Sequence, residues 1–270
     1  MAKTVSNDPF PTPGEPDGSP APAPVSFPVW NGRDLLELAG FFCLGLVVLM
    51  LAAQAAGSLL TIYLGQPTLT ADPVTQGMAQ ILMTNLLNGL VLFFIYRTVT
   101  VKYRSPFWSS LRWKGPAAAP VGHFLVLGGL LALVMGALSS RIPGIEDLPV
   151  SGLLEHAETA VFLGVTAIAV APLVEEVVFR GYIFPVLERR WGSVAAVLLT
   201  ALMFTSLHVT QLWGSWMAVS LILLVGLALS LVRARTGALL PAYLLHLAYN
   251  TTLCLLSLIG LALEGSAASE

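Results

Sequence analysis

The chain has 270 residues, of which 56% are hydrophobic and only 10% are charged, and its mean hydropathy is +0.81. Soluble domains carry about 25% charged residues, so this composition excludes an ordinary soluble protein and indicates a polytopic membrane protein. The formal net charge of −2 gives no sign of a nucleic-acid partner, and none is predicted.

The N-terminal segment is polar and rich in proline, and it includes the stretch PFPTPGEPDGSPAPAPVSFP. Such a segment cannot bury enough apolar surface to fold. Residues 1–32 are therefore predicted to form a disordered tail on the cytoplasmic side. Residues 33–263 are predicted to form the transmembrane domain, and residues 264–270 a short C-terminal tail.

Long apolar stretches follow the tail. A membrane-spanning helix requires about 20 consecutive apolar residues. Seven stretches qualify, at residues 35–64, 78–98, 119–140, 157–189, 192–212, 215–233 and 238–262. The predicted fold is all-α, a polytopic membrane helix bundle of about seven to eight transmembrane helices, and membrane lipids are a predicted partner.

Basic residues between the spans predict the orientation, because cytoplasmic loops carry an excess of Lys and Arg. They lie before the first span and after the second, fourth and sixth, as Lys3, Arg33, Arg97, Lys102, Arg104, Arg112, Lys114, Arg189, Arg190, Arg233 and Arg235. This alternation predicts a cytoplasmic N-terminus. The preference for Arg over Lys and the abundance of Ala, Leu and Gly are typical of a GC-rich bacterial genome, so we expect a bacterial cytoplasmic membrane.

Three of the predicted spans contain polar motifs: EEVVFR in the fourth, FTSLH in the fifth and HLAYN in the seventh. An ionisable residue inside a span costs about 2.5–3.5 kcal/mol on insertion scales and indicates function. Residues four apart share one face of a helix, so Glu176 and Arg180 are predicted to form an ion pair. Glu175 is rotated by about 100° from Glu176 and is left without that partner.

One carboxylate, two imidazoles and one amide are predicted to converge from these three helices: Glu175, His208, His246 and Asn250. Helical spacing also places Phe204 beside His208 as a supporting residue. Such a set suits hydrolysis. Glu175 and His208 can deprotonate a water molecule, and the neutral donor Asn250 can stabilise an oxyanion.

The same residues leave alternatives open. Glu175, His208 and His246 form a ligand set that can hold zinc with an open fourth position, so the cofactor prediction is zinc or none. Buried Glu and His side chains also mark ion pathways, which makes a transporter or proton-relay protein a second hypothesis. A non-catalytic scaffold or immunity protein is a third. The polar motifs show no internal repeat of the kind found in many transporters.

Straight helices would keep the predicted site apart. His208 would lie near the outer end of the fifth span and His246 nearer the cytoplasmic end of the seventh. The two side chains can meet only if the spans are bent, tilted or offset, which Pro172, Pro185 and Pro241 favour.

The three motifs, in this order on successive apolar helices, resemble those of the CPBP family, the CAAX-protease and bacteriocin-processing membrane proteins. This family includes the type II CAAX prenyl endopeptidases and the Abi proteins. The resemblance covers residues 157–255, the predicted catalytic core. Within the first motif, Glu176 and Arg180 resemble the supporting residues of the family.

The resemblance implies an intramembrane endopeptidase that acts on membrane-associated or lipidated (CAAX-like) protein or peptide substrates. By motif position, Glu175 and His208 resemble the pair that activates water. His246 and Asn250 resemble the pair that stabilises the oxyanion. The motifs fit both a zinc mechanism and a metal-free glutamate mechanism.

Overall fold

The computed structural model describes residues 27–65, 72–114, 120–143, 153–154 and 156–267. Most of the predicted N-terminal tail, residues 1–26, and the last part of the predicted C-terminal tail, residues 268–270, lie outside these ranges. All regular elements within the described residues are helical, which confirms the predicted fold class.

Nine α-helices are described, and π-helical segments continue some of them. The α-helices are α1 (Gly32–Leu64), α2 (Pro73–Arg97), α3 (Phe107–Ser110), α4 (Val121–Ser139), α5 (Ala157–Val165), α6 (Ala171–Glu175), α7 (Phe184–His208), α8 (Trp216–Thr236) and α9 (Leu240–Ala267). The π-helical segments are Thr98–Lys102, Thr166–Val170 and Glu176–Ile183. Two of these lie in the stretch from residue 157 to residue 183, which we call the jointed helix.

Six helical stretches among the described residues are long and apolar enough to cross a membrane: Gly32–Tyr63, Pro73–Lys102, Gly122–Ser139, Ala157–His208, Trp216–Thr236 and Leu240–Gly260. The fourth has 52 residues. At 1.5 Å per residue it would measure about 78 Å, far more than the hydrocarbon core of a bilayer. Gly192, with φ 80° and ψ 168°, breaks it. The two parts correspond to the fourth and fifth predicted spans.

The break at Gly192 lets the chain fold back on itself. Phe179 and Phe204, which lie on opposite sides of the break, meet edge to face with ring centroids 5.5 Å apart. Ala196 is fully buried in the same apolar cluster. The second part of α7 therefore packs against the jointed helix as the returning limb of a hairpin.

Close contact between α4 and α9 depends on Gly128. A Cβ atom built at this position would overlap the main-chain oxygen of Leu245 and lie 2.9 Å from Ala248 Cβ. Small residues of this kind let helix backbones approach each other in membranes. Since Leu245 directly precedes His246, this contact sets the position of a predicted site residue.

Gly128→Ala is expected to destabilise the bundle by about 1–3 kcal/mol, the usual cost of overpacking a well-packed core. Gly129→Ala is the matched control, because a Cβ there would lie 3.5 Å from Thr252 Oγ1, an ordinary contact. Both substitutions raise helix propensity equally, so the difference in the free energy of unfolding between the two variants is due to the overlap. Denaturant unfolding in detergent micelles measures this difference, and equal stabilities would contradict the close contact.

The segment before α1 is packed against the bundle. Trp30 is fully buried, and its ring stacks on Tyr182 with centroids 5.0 Å apart. Its indole nitrogen donates to the main-chain oxygen of Tyr182 at 2.8 Å. Arg189 donates to the main-chain oxygens of Pro28 and Trp30. Pro28 and Trp30 are therefore anchored to Tyr182 of the jointed helix and Arg189 of α7.

The loop after α3 supports the start of α9. Arg112 adopts a left-handed conformation with φ 53°. In this conformation the main-chain oxygens of Arg112 and Trp113 accept from the nitrogens of Leu239 and Leu240 at 2.8 and 3.0 Å. These bonds satisfy two amide groups at the N-terminus of α9, which would otherwise lack partners. The strained backbone thus helps to hold the helix that carries His246.

Candidate active site

The jointed helix presents the first polar motif. Its π-helical segments lie on either side of α6, whose last residue is Glu175. Glu176 begins the second π-helical segment, and Arg180 lies within it. Short π-helical insertions are frequent at functional sites. The two glutamates therefore lie at a joint between two helical registers.

The predicted ion pair between Glu176 and Arg180 is present. Arg180 Nη1 lies 2.8 Å from Glu176 Oε1, and both side chains are fully buried. The other guanidinium nitrogens also have partners, since Nη2 donates to the main-chain oxygen of Gly226 and Nε to Ser230 Oγ. The guanidinium carbon lies 4.7 Å from the centroid of the Phe204 ring. Arg180 thus ties the jointed helix to α8 and α7.

His246 lies between the two glutamates. Its Nδ1 is 3.0 Å from Glu176 Oε1, and its Nε2 is 3.6 Å from Glu175 Oε2. The side chain of Glu175 is 23% exposed, whereas that of Glu176 is fully buried. The two carboxylates therefore differ in solvent exposure. Glu176 contacts buried partners, whereas Glu175 is partly accessible.

The contacts of His246 connect its ring to the buried ion pair. His246 Nδ1 and Arg180 Nη1 lie 3.0 and 2.8 Å from the same oxygen, Glu176 Oε1. Because buried charges are tolerated when they are paired and hydrogen bonded, this arrangement suits the interior of a membrane protein.

His208 is the last residue of α7, and its ring and that of His246 both contact Phe204. The Phe204 ring centroid is 4.7 Å from that of His208 and 5.9 Å from that of His246. His208 Nδ1 lies 3.0 Å from the main-chain oxygen of Phe204. A carbonyl oxygen only accepts, so Nδ1 carries the proton and Nε2 of the neutral ring is an acceptor. Both imidazoles thus lie near one phenyl ring, and the joint action of His208 with Glu175 stays a prediction.

Asn250 lies one helical turn after His246 on α9. Its amide nitrogen donates to the main-chain oxygen of Ala167, in the first π-helical segment, at 2.7 Å. This bond uses one of the two amide hydrogens, so the second remains available for another acceptor. Asn250 therefore joins α9 to the jointed helix eight residues before Glu175.

Zinc stays a prediction for this site. Of the three expected ligands, Glu175 and His246 are neighbours, with His246 Nε2 3.6 Å from Glu175 Oε2. His208 donates through Nδ1 to Phe204, which leaves its Nε2 free. Among the described residues, no three His, Cys, Asp or Glu side chains are grouped closely enough to hold a metal ion.

Several residues of this region were not predicted from the sequence. Arg233, expected to be a loop cation, is buried within α8, and its Nε donates to the main-chain oxygen of Arg180 at 3.0 Å. Ser230 and Trp30 also contact the second π-helical segment. The available signal was the pair of prolines, Pro172 and Pro185, which interrupt the amide hydrogen bonding of this part of the chain.

Comparison with known proteins gives one family and one relative. Residues 157–252 match the type II CAAX prenyl endopeptidase Rce1-like family. The chain is also 30% identical, over 181 residues, to an uncharacterized 24.3 kDa protein of Escherichia coli, covering 59% of this chain and 78% of that protein. No solved structure matches the chain. The family match includes all three polar motifs.

Proposed function

Because this chain belongs to the family of Rce1-like type II CAAX prenyl endopeptidases, we propose that it is an intramembrane endopeptidase that hydrolyses membrane-associated or lipidated proteins. The observation that carries the proposal is the buried cluster of Glu175, Glu176, Arg180 and His246, in which only Glu175 has appreciable access. Ionisable groups at such depth are expensive and therefore indicate function.

Water activation falls to Glu175 and His208. Glu175 is the accessible carboxylate, so it takes a proton from water as the water oxygen bonds to the scissile carbonyl carbon. His208 has an acceptor nitrogen, Nε2, because Nδ1 donates to Phe204. We assign His208 to orienting the attacking water through this nitrogen. The C–N bond then breaks, and the departing amine takes the proton that Glu175 received.

Oxyanion stabilisation falls to His246 and Asn250. The addition of water converts the carbonyl oxygen into an oxyanion, which requires hydrogen-bond donors already in place. His246 Nε2 lies 3.6 Å from Glu175 Oε2, at the reacting end of the cluster, and we assign it as one donor. The second amide hydrogen of Asn250 is the other donor. Glu176 holds Nδ1 of His246 and thereby fixes the orientation of the ring.

A cleavage assay on the purified chain in lipid vesicles tests the proposal. Membrane-anchored peptides with and without a C-terminal prenylated cysteine are supplied, and the products are identified by mass spectrometry. In water enriched in heavy oxygen, the new carboxyl group is expected to acquire the label, because water is the nucleophile. Intact peptides would overturn the proposal, and proton movement without cleavage would favour the transporter.

Replacing Asn250 separates its two assigned tasks. Asn250→Ala is expected to lower kcat by about 10²–10³-fold, the usual effect of removing one oxyanion donor. Pro172→Ala restores a main-chain N–H near Ala167, which replaces the helix contact but not the oxyanion donor. The double variant is therefore expected to remain impaired.

The control for this experiment is Pro172→Ala alone, which must retain cleavage. If the double variant instead recovers full activity, Asn250 serves only to complete the helix, and the oxyanion assignment is wrong.

A further inference from the structure

Each π-helical segment of the jointed helix is followed by one residue and then by a proline. The last π-type bonds run from the nitrogen of Ala171 to the oxygen of Thr166, and from the nitrogen of Phe184 to the oxygen of Phe179. In each case the donor lies five residues after the acceptor, and the next residue along the chain is a proline, Pro172 or Pro185.

Each proline leaves one main-chain oxygen without its donor in this register. Proline has no N–H, so Pro172 cannot donate to Ala167, and Pro185 cannot donate to Arg180. Inside a bilayer, water does not replace such a bond, and an unsatisfied main-chain group costs several kcal/mol. The two affected oxygens therefore require donors from elsewhere in the protein.

Side chains from later helices supply both donors. Asn250 of α9 donates to the oxygen of Ala167 at 2.7 Å. Arg233 of α8 donates through Nε to the oxygen of Arg180 at 3.0 Å. The two arrangements are parallel: a π-helical segment, a proline and a side-chain donor that replaces the missing N–H.

The position of Arg233 suits this task and no direct catalytic one. Its side chain is 1% exposed, and its guanidinium carbon lies 5.6 Å from the centroid of the Phe184 ring. Its hydrogen bond goes to the backbone of Arg180, whose side chain pairs with Glu176. Arg233 is thus connected to His246 only indirectly, through Arg180 and Glu176, within the described part of the chain.

We propose that Arg233 is a positioning residue for the reaction: it replaces the backbone donor that Pro185 lacks and holds the Glu176–Ile183 π-helical segment in its register. In that register Arg180 pairs with Glu176, and Glu176 contacts His246. The inference rests on the proposed endopeptidase function, since it assigns a task within that site. It concerns a residue outside the three polar motifs.

A pair of substitutions tests the inference. Arg233→Met keeps the length of the side chain but removes the donor, and it is expected to lower kcat by about 10²-fold, as small misplacements of catalytic groups do. KM is expected to change little, because Arg233 does not contact substrate. Adding Pro185→Ala creates a backbone N–H in reach of Arg180, and we expect this double variant to recover most of the lost kcat.

Two further readouts separate positioning from a loss of folded protein. The acid limb of the pH profile of kcat is expected to move in Arg233→Met, because Glu176 no longer faces His246, whose other neighbour is Glu175. An unfolded fraction would lower the rate at every pH without moving the profile. Hydrogen exchange in the peptide spanning residues 176–187 is expected to rise in the single variant and fall again in the double variant.

Arg235→Met is the matched control, since Arg235 is an exposed cation two residues away on the same helix. It should leave kcat unchanged. If Arg233→Met does not accumulate as folded protein, the yield of monodisperse protein is compared between the single variant and the double variant with Pro185→Ala. The double variant is expected to give the higher yield. Unchanged kcat in Arg233→Met, or a loss that Pro185→Ala does not restore, would overturn the inference. If the wild-type chain leaves the peptides intact, the proposed function fails as well.

Discussion

Glu175→Gln is expected to reduce peptide hydrolysis by about 10²–10⁴-fold, the range in which a positioned general base contributes to the rate. The amide has nearly the shape of the carboxylate but cannot accept a proton from water. It also changes the neighbour of His246, whose Nε2 lies 3.6 Å from Glu175 Oε2. The rate is measured under single-turnover conditions in vesicles, so that slow product release does not mask the effect.

Glu158→Gln is the matched control for this substitution. Glu158 is an exposed carboxylate in the first turn of α5, on the same jointed helix. Its replacement is expected to leave the rate unchanged. Wild-type rates in Glu175→Gln would show that the reacting base lies elsewhere.

Arg180→Met is expected to destabilise the protein by about 3–5 kcal/mol, because it leaves the carboxylate of Glu176 buried without its main counter-ion. Both side chains of this pair are fully buried. Glu176→Gln combined with Arg180→Met removes both charges, so the double variant should be more stable than Arg180→Met alone. Denaturant unfolding in mixed micelles measures these differences.

The chain contains an exposed counterpart of this pair. Arg33 and Glu37 are also four residues apart, 3.2 Å between charged atoms, but the Arg33 side chain is 86% exposed. Exposed pairs contribute about 0–1 kcal/mol, so Arg33→Met should have a small effect. Similar losses at Arg33 and Arg180 would mean that burial does not govern the strength of the Glu176 pair.

Much of the fold could be predicted from apolar length alone. The seven predicted spans agree with the helices because a bilayer sets the length of a crossing. The Glu176–Arg180 pair was also predicted from its spacing. It forms even though this part of the chain is π-helical, since four residues remain close to one turn in the wider register.

The contacts of His246 could not be predicted from spacing. Glu175 and Glu176 point about 100° apart on an α-helix, which suggested that they have separate partners. One imidazole contacts both because its two nitrogens lie on different sides of the ring. The sequence identified the participants, but only the packing of α9 against the jointed helix brings His246 to both.

Arg233 illustrates a further limit of sequence analysis. A basic residue near the end of an apolar stretch is normally evidence for a cytoplasmic loop. Here it is fully enclosed and bonded to a main-chain oxygen. A lone proline in a span indicates a bend, but it does not identify which distant side chain donates the hydrogen bond that the proline cannot.

The origin of the two replacement donors has a consequence for biosynthesis. Arg233 and Asn250 lie 53 and 83 residues after the oxygens that they satisfy. Chains are made from the N-terminus, so the segment with both glutamates enters the bilayer before either donor has been translated. Its catalytic geometry is completed only when the last helix docks. On the proposed function, a nascent chain without α9 therefore lacks a complete site.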